Sequence, residues 1–199
     1  MTSSYRVLFF CCIFLIAYSW LQAQSAPTEL LTFNEANLQH QRTAMYTLGG
    51  WAVANIGLGL ALKNSSGGET RYFHEMNALW NSVNLAIAGI GYFSITGQDP
   101  SSWDLATSFQ KHQSFQKILL FNAGLDLGYI AGGLYLTERA KRNGVNQERL
   151  RGFGKSIMLQ GGFLFVFDIV NYFIASSRDG GLHLMLGATS NGIGMTVLW

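Results

Sequence analysis

The sequence predicts an all-α membrane protein, a four-transmembrane-helix bundle with a short C-terminal hairpin or irregular segment. Three observations carry this. Of 199 residues, 49% are hydrophobic and only 12% charged, where a soluble domain has about 25% charged. The 23 glycines point the same way, because glycine is commoner in transmembrane helices than in soluble ones. Four apolar stretches of 18–20 residues, at 45–62, 76–95, 118–136 and 157–175, contain no Lys or Arg. Each is about long enough to cross a ~30 Å hydrocarbon core at ~1.5 Å per residue. Helix is the spanning form, since lipid offers no partner to an open strand.

Before the first span comes "MTSSYRVLFFCCIFLIAYSWLQAQSAP", with Arg6, an apolar run from Val7 to Tyr18, and the small residues Ala23, Ser25 and Ala26. That is the layout of a secretory signal peptide. We assign it to residues 1–24, with cleavage between Ala23 and Pro27, leaving 25–199 as a single domain. The alternative is an uncleaved anchor helix. Phe9 and Phe10 precede Cys11 and Cys12 and are too large for a lipoprotein attachment site. Cleavage would remove both cysteines and exclude disulfides, thiolate metal sites and cysteine nucleophiles.

Local signals set the expected helix ends. Thr32 and Glu35 match a capping box that starts the first helix near Phe33. Asp99 before Pro100 starts the third. Asn146 caps the fourth, and "KNSSGGET" and "KRNGVN" are turns. Lys63, Arg71, Arg139, Lys141, Arg142, Arg149, Arg151 and Lys155 lie on one side of the spans, against Arg42, Lys111, Lys117 and Arg178 on the other. The positive-inside rule places the first group in the cytoplasm. The expected location is the bacterial inner membrane, with the mature N-terminus and C-terminus outside. The stretch "LHLMLGATSNGIGMTVLW" has an Asn191-Gly192 turn signal, and a hairpin or irregular segment at 182–199 is preferred to a fifth span.

The halves of the chain echo each other. "GGWAVANIGLGLAL" and "AGLDLGYIAGGLYL" align at Gly50/Gly124, Ile56/Ile130, Gly59/Gly133, Leu60/Leu134 and Leu62/Leu136, and the second and fourth spans at Arg71/Arg151, Phe73/Phe153 and Leu79/Leu159. A duplicated two-helix hairpin would give this pattern. The runs "RYFHEMNALWNSVNLAIAGIGY", "FNAGLDLGYIAGGLYLTERAKR" and "GFGKSIMLQGGFLFVFDIVNY" resemble an uncharacterised family of small bacterial four-helix membrane proteins, over about Gln39 to Tyr172. The resemblance implies a membrane protein and brings no activity, cofactor or catalytic residue with it.

Polar residues recur at helical spacing. Asn77, Asn81, Asn84, Ala88 and Gly91 lie on one stripe of the second span, and Asn122, Asp126, Tyr129 and Gly133 on one stripe of the third. Asp168 and Asn171 share a face of the fourth, and Asn55 lies in the first. Counting from span centres puts Asn55, Asn84, Asp126 and Asp168 within ~3 Å of the midplane at ~1.5 Å per residue. Asn81 lies toward the cytoplasm, and Asn122 and Asn171 toward the outside. A lipid-exposed Asp there would cost ~3 kcal/mol, so these groups should face inward. No span holds a Lys, Arg or His. The aspartates therefore need a proton or an external cation, because burial disfavours the bare charge. They form a candidate ion or ligand site with Asn55, Asn84, Asn81, Asn122, Tyr129 and Asn171. The competing reading is helix-joining hydrogen bonds of ~0.6–2 kcal/mol each.

Gly124, Gly128 and Gly132 form a doubled GxxxG stripe almost opposite Asp126. It is expected to pack against a second copy of the chain, making a homo-oligomer through the third helix, or against Gly50, Ala54, Gly57 and Ala61 of the first. Other motifs are weaker. "RYFHEMN" has Ala78 where a HExxH zinc motif needs its second His. His40, His112 and His183 are scattered over three segments. Tyr46, Trp80, Tyr92, Trp103 and Tyr172 are read as interfacial anchors. No metal or cofactor is implied, and no basic patch suggests nucleic acid. The partner is the lipid bilayer. The expected function is a non-enzymatic assembly or small-ligand-binding component, the alternative a proton- or cation-linked transporter.

Overall fold

The computed structural model describes the backbone of residues 3–182 and 185, with side chains from residue 28 onward in that range. Four helices form it: α1 Ser3–Lys63, α2 Gly68–Thr96, α3 Leu105–Arg139 and α4 Gln147–Ser176, with a 3₁₀ turn Pro100–Ser102 between α2 and α3. No strand occurs among the described residues. The hairpin or irregular segment expected at 182–199 lies, Leu182 and Met185 aside, outside the described residues. All four helices are long and apolar enough to cross a membrane.

The side chains are sorted for hydrocarbon rather than for water. Phe93 and Ile90 are 75% and 73% exposed, while Asn81 and Gln160 are fully buried. A soluble protein shows the reverse. Lipid accommodates apolar side chains but offers amides no hydrogen-bond partner, so the amides collect inside the bundle.

Two of the expected helix starts differ from those observed. The chain is already helical from Ser3, and the Thr32 hydroxyl donates to the Thr28 carbonyl at 3.0 Å as a mid-helix residue. The residues before Thr32 continue the helix, so its capping signal is overridden. Asp99 caps only the 3₁₀ turn, with Pro100 in its first turn; the N-cap of α3 is Asp104, whose carboxylate accepts from Thr107 N–H at 2.8 Å. Hydrogen bonds from Thr107, side chain and then backbone, hold the Asp104 carboxyl below its usual range. Asn146 caps α4 as expected, accepting from Arg149 N–H at 3.0 Å, and Gly144 takes the left-handed conformation (φ +79°) in the turn before it.

α1 packs on α2, α3 packs on α4, and the two hairpins meet chiefly through α2 and α4. The crossings inside the hairpins are the same crossing twice. A Cβ on Gly59 would come within 2.7 Å of the His74 carbonyl oxygen and 2.8 Å of Ala78 Cβ; on Gly133 it would meet the Gly154 carbonyl oxygen and Met158 Cγ, both at 2.6 Å. Gly59 and Gly133 are 74 residues apart, and His74/Gly154 and Ala78/Met158 are each 80 apart, the offsets at which the halves align in sequence. Between the hairpins, a Cβ on Gly152 would lie 2.7 Å from Cβ of Tyr72, its own counterpart 80 residues earlier. Self-contact of equivalent positions marks a pseudo-two-fold axis between α2 and α4.

Gly124, Gly128 and Gly132 take no part in this packing: among the described residues nothing lies within 4 Å of a Cβ built on any of them, and the same holds for Gly50 and Gly57. The third helix therefore does not use its glycine stripe against the first. The glycines that admit a neighbouring backbone are Gly59, Gly133, Gly152, Gly154 and Gly161.

Candidate functional site

The expected polar layer divides into separate groups. One is a closed amide chain. Asn77 Nδ2 donates to Asn55 Oδ1 at 2.9 Å, Gln160 Nε2 donates to Asn77 Oδ1, and Trp51 Nε1 donates to Gln160 Oε1 at 2.9 Å. Asn81 donates to the Asn77 carbonyl at 2.8 Å and receives from Asn84 at 3.3 Å. This chain joins α1, α2 and α4, and side-chain amides can both give and accept, so one residue's deficit satisfies the next. Gln160 and Trp51 were not among the expected site residues, although a glutamine inside an apolar run was itself a signal.

A second group lies at the end of the bundle that carries the α2–α3 connection. His40 Nε2 donates to Asn171 Oδ1 at 2.9 Å, which leaves Nδ1 to accept from Arg178 at 3.1 Å. His112 and Gln116 both donate to Asp179 Oδ1 at 2.7 Å. These bonds tie the C-terminal end of α4 to α1 and α3, and they take Asn171 away from the aspartates. Ser108, His112, Gln116 and Leu119, all buried, form the inward face of "SFQKHQSFQK" and its flank. His183 lies outside the described residues. No three His, Cys, Asp or Glu side chains gather as a metal site among the described residues.

The third group contains the aspartates. Asp126 and Asp168 are 3% and 5% exposed, and their carboxyls are close enough to interact. Among the described residues no N–H or O–H reaches the buried Asp126 Oδ2. Like charges held close inside a protein disfavour double ionisation. Both line a cavity of about 550 Å³, together with Asn84, Asn122 and Tyr129. Tyr129 meets the ring of Trp80 edge-on at 4.8 Å. Trp80 thus lines the cavity.

The cavity opens sideways. α2 and α3 scarcely touch. Between them Val83, Ile87, Ile118 and Leu125, all cavity-lining, are 58%, 52%, 57% and 41% exposed. The aspartates form its floor. Along the bundle the lining runs from Tyr129 and Asp168 to Ser94 and Gln98, toward the α2–α3 connection.

The pseudo-symmetry supplies an internal control. The groove equivalent to α2–α3 is that between α1 and α4, and it is filled: the Trp51 ring lies flat on Phe163, centroids 3.8 Å apart and planes within 4°. The counterparts of Trp51 and Phe163, at the same 74 and 80 offsets, are Leu125 and Val83 in the open groove. The aspartates differ from their counterparts too. Asp126 corresponds to Ala52 and Asp168 to Ala88, both buried. The first hairpin closes at this level with two methyl groups. The carboxyls are therefore not required by the hairpin architecture.

The fold and this interior define a four-helix transmembrane bundle with a lateral cleft and a carboxyl pair at its base. The chain belongs to a family of unknown function, DUF6992, whose match spans residues 47–169. That span contains the amide chain, the carboxyl pair, and Leu125, Val83, Trp51 and Phe163 of the two grooves, and leaves out His40, Asn171, Arg178 and Asp179. No curated protein and no solved structure matches the chain.

Proposed function

We propose that this protein is a non-enzymatic membrane component that binds a small ligand in the cleft between α2 and α3. The observation that carries the reading is the asymmetry of the two equivalent grooves. One is packed by Trp51 and Phe163. The other is open, with Asp126 and Asp168 at its floor. A volume of about 550 Å³ falls within the usual ~300–1,000 Å³ of small-molecule sites. Intramembrane carboxyls facing a cavity are costly to retain and generally serve function.

Proton- or cation-linked transport, the other reading of the same carboxyls, needs a path to both ends of the bundle. The cavity leads toward the α2–α3 connection. Toward the opposite end, the glycine crossings and the amide chain fill the interior. This favours binding over passage. In the membrane the basic turns would face the cytoplasm of a bacterial inner membrane, with the cleft in the outer half and a cleaved signal preceding the domain. A second copy of the chain would seat on the outward glycine face of α3.

Leu125→Trp gives the open groove the residue that fills its counterpart. We expect it to fold normally and to lose the small molecules that co-purify with the wild type from membranes, compared by mass spectrometry of organic extracts. Identical extracts from a well-folded variant would count against the cleft as the site.

A further inference from the structure

We infer that the ligand of this cleft is a lipophilic amine: an apolar body entering between α2 and α3, with a protonated nitrogen donating to the Asp126 and Asp168 carboxyls. The inference rests on the cleft being the binding site and adds the chemistry of what it takes.

Charge comes first. The cavity lining contains two carboxyls and no Lys, Arg or His. An anionic head would meet like charge, and its own charge would find no partner there. Lys111, which reaches Gln98 at the rim with a 2.9 Å hydrogen bond, also lies 4.5 Å above the Trp103 ring and is held away from the floor.

Hydrogen bonding comes second. The Asp126 Oδ2 atom is buried and receives no donor among the described residues, in a residue otherwise sealed from the surface. It needs an N–H or O–H. The amide of nearby Asn84 is spent on Asn81. A primary or secondary ammonium group brings at least two N–H donors and one positive charge. It can donate to both carboxyls at once. Charge-assisted bonds of this kind are about twice as strong as neutral ones, and a dry apolar setting strengthens them further.

Shape comes third. Above the floor the walls are Val83, Ile87, Leu119, Ile118, Leu125 and Leu164, which suit an alkyl or isoprenoid body and offer a hydrated metal ion nothing in exchange for its water. The side opening lets such a molecule enter from the hydrocarbon phase without crossing the headgroup region with its tail. The equivalent first-hairpin positions, Ala52 and Ala88, carry no charge.

The test uses the full chain in nanodiscs of uncharged lipid at pH 7, with dodecylamine, dodecanol and dodecanoate as probes. Leu125→Trp in identical nanodiscs measures partition into lipid, and specific binding is the excess over it. We expect dodecylamine to bind the wild type at least tenfold more tightly than either other probe. Asp126→Ala with Asp168→Ala restores the residues of the first hairpin and should keep the helical content while removing that preference. Equal retention of dodecanol or dodecanoate would overturn the amine assignment and leave the cleft as the site. No excess of any probe over Leu125→Trp would overturn the cleft itself. An undiminished amine preference in the folded double variant would overturn the role of the carboxyls.

Discussion

Gly133→Leu should disrupt the α3–α4 hairpin, whereas Gly128→Leu, five residues away on the same helix, should leave it intact. At Gly133 even a methyl group would lie 2.6 Å from the Gly154 carbonyl oxygen and from Met158 Cγ. The first of these is backbone and cannot swing aside. Overpacking a tight contact usually costs ~1–3 kcal/mol. With backbone on the far side the expected cost is at or beyond the top of that range, about 3 kcal/mol or more. Gly128 has nothing within 4 Å, so its substitution should fall within about 0.5 kcal/mol of the wild type. Unfolding in detergent with increasing dodecyl sulfate reads both. The same Gly128 variant reports on assembly: a smaller particle with unchanged helicity would place a second copy on that face. Equal stability of the two variants would contradict the crossing described for Gly133.

Gln160→Met is expected to produce the second large loss. Gln160 is fully buried and links α4 to two other helices, accepting from Trp51 Nε1 at 2.9 Å and donating to Asn77 Oδ1. Methionine keeps the length and apolar volume but removes both bonding functions. The Trp51 donor and the Asn77 acceptor would be left inside the bundle. Each buried orphan costs ~1–3 kcal/mol, so the two together are expected to cost about 2–6 kcal/mol. The indole stacked on Phe163 would also lose the hydrogen bond that fixes its Nε1 edge. Trp fluorescence during unfolding would show the shift, and Gln160→Glu, which can still accept from Trp51, should recover part of the loss. A Gln160→Met variant as stable as the wild type would mean that the amide chain contributes little.

Much of this fold is legible in the sequence, because lipid imposes simple demands on it. Long apolar runs without Lys or Arg mark the four spans, and the Asn/Asp stripes mark the faces that turn inward. What periodicity does not contain is which helix stands beside which. The structure sets α2 against α4, and that choice separates Asn55 and Asn81 from the carboxyls and joins Asn171 to His40. Gly124, Gly128 and Gly132 have the familiar spacing for close approach, yet the close approach is made by Gly133 and Gly59. The pairing of those two in the internal repeat was the better signal. The contact of Trp80 with Tyr129 is likewise invisible in the sequence, because proximity to a span end says nothing about a ring partner on another helix. The Thr32 capping pattern was overridden by helical residues before it, and the Asp99-Pro100 signal marked a 3₁₀ turn instead of the helix.

The central claim is that one of two equivalent grooves is an open, lipid-facing site and the other is filled. Photolabelling tests this most directly. A dodecylamine with a diazirine on its alkyl chain, irradiated with the protein in nanodiscs, should label α2 and α3 around Val83, Ile87, Ile118 and Leu125. That labelling should disappear in Leu125→Trp. Labelling of α1 and α4 around Trp51 and Phe163 to the same extent, or labelling of α2 and α3 that survives Leu125→Trp, would contradict the account.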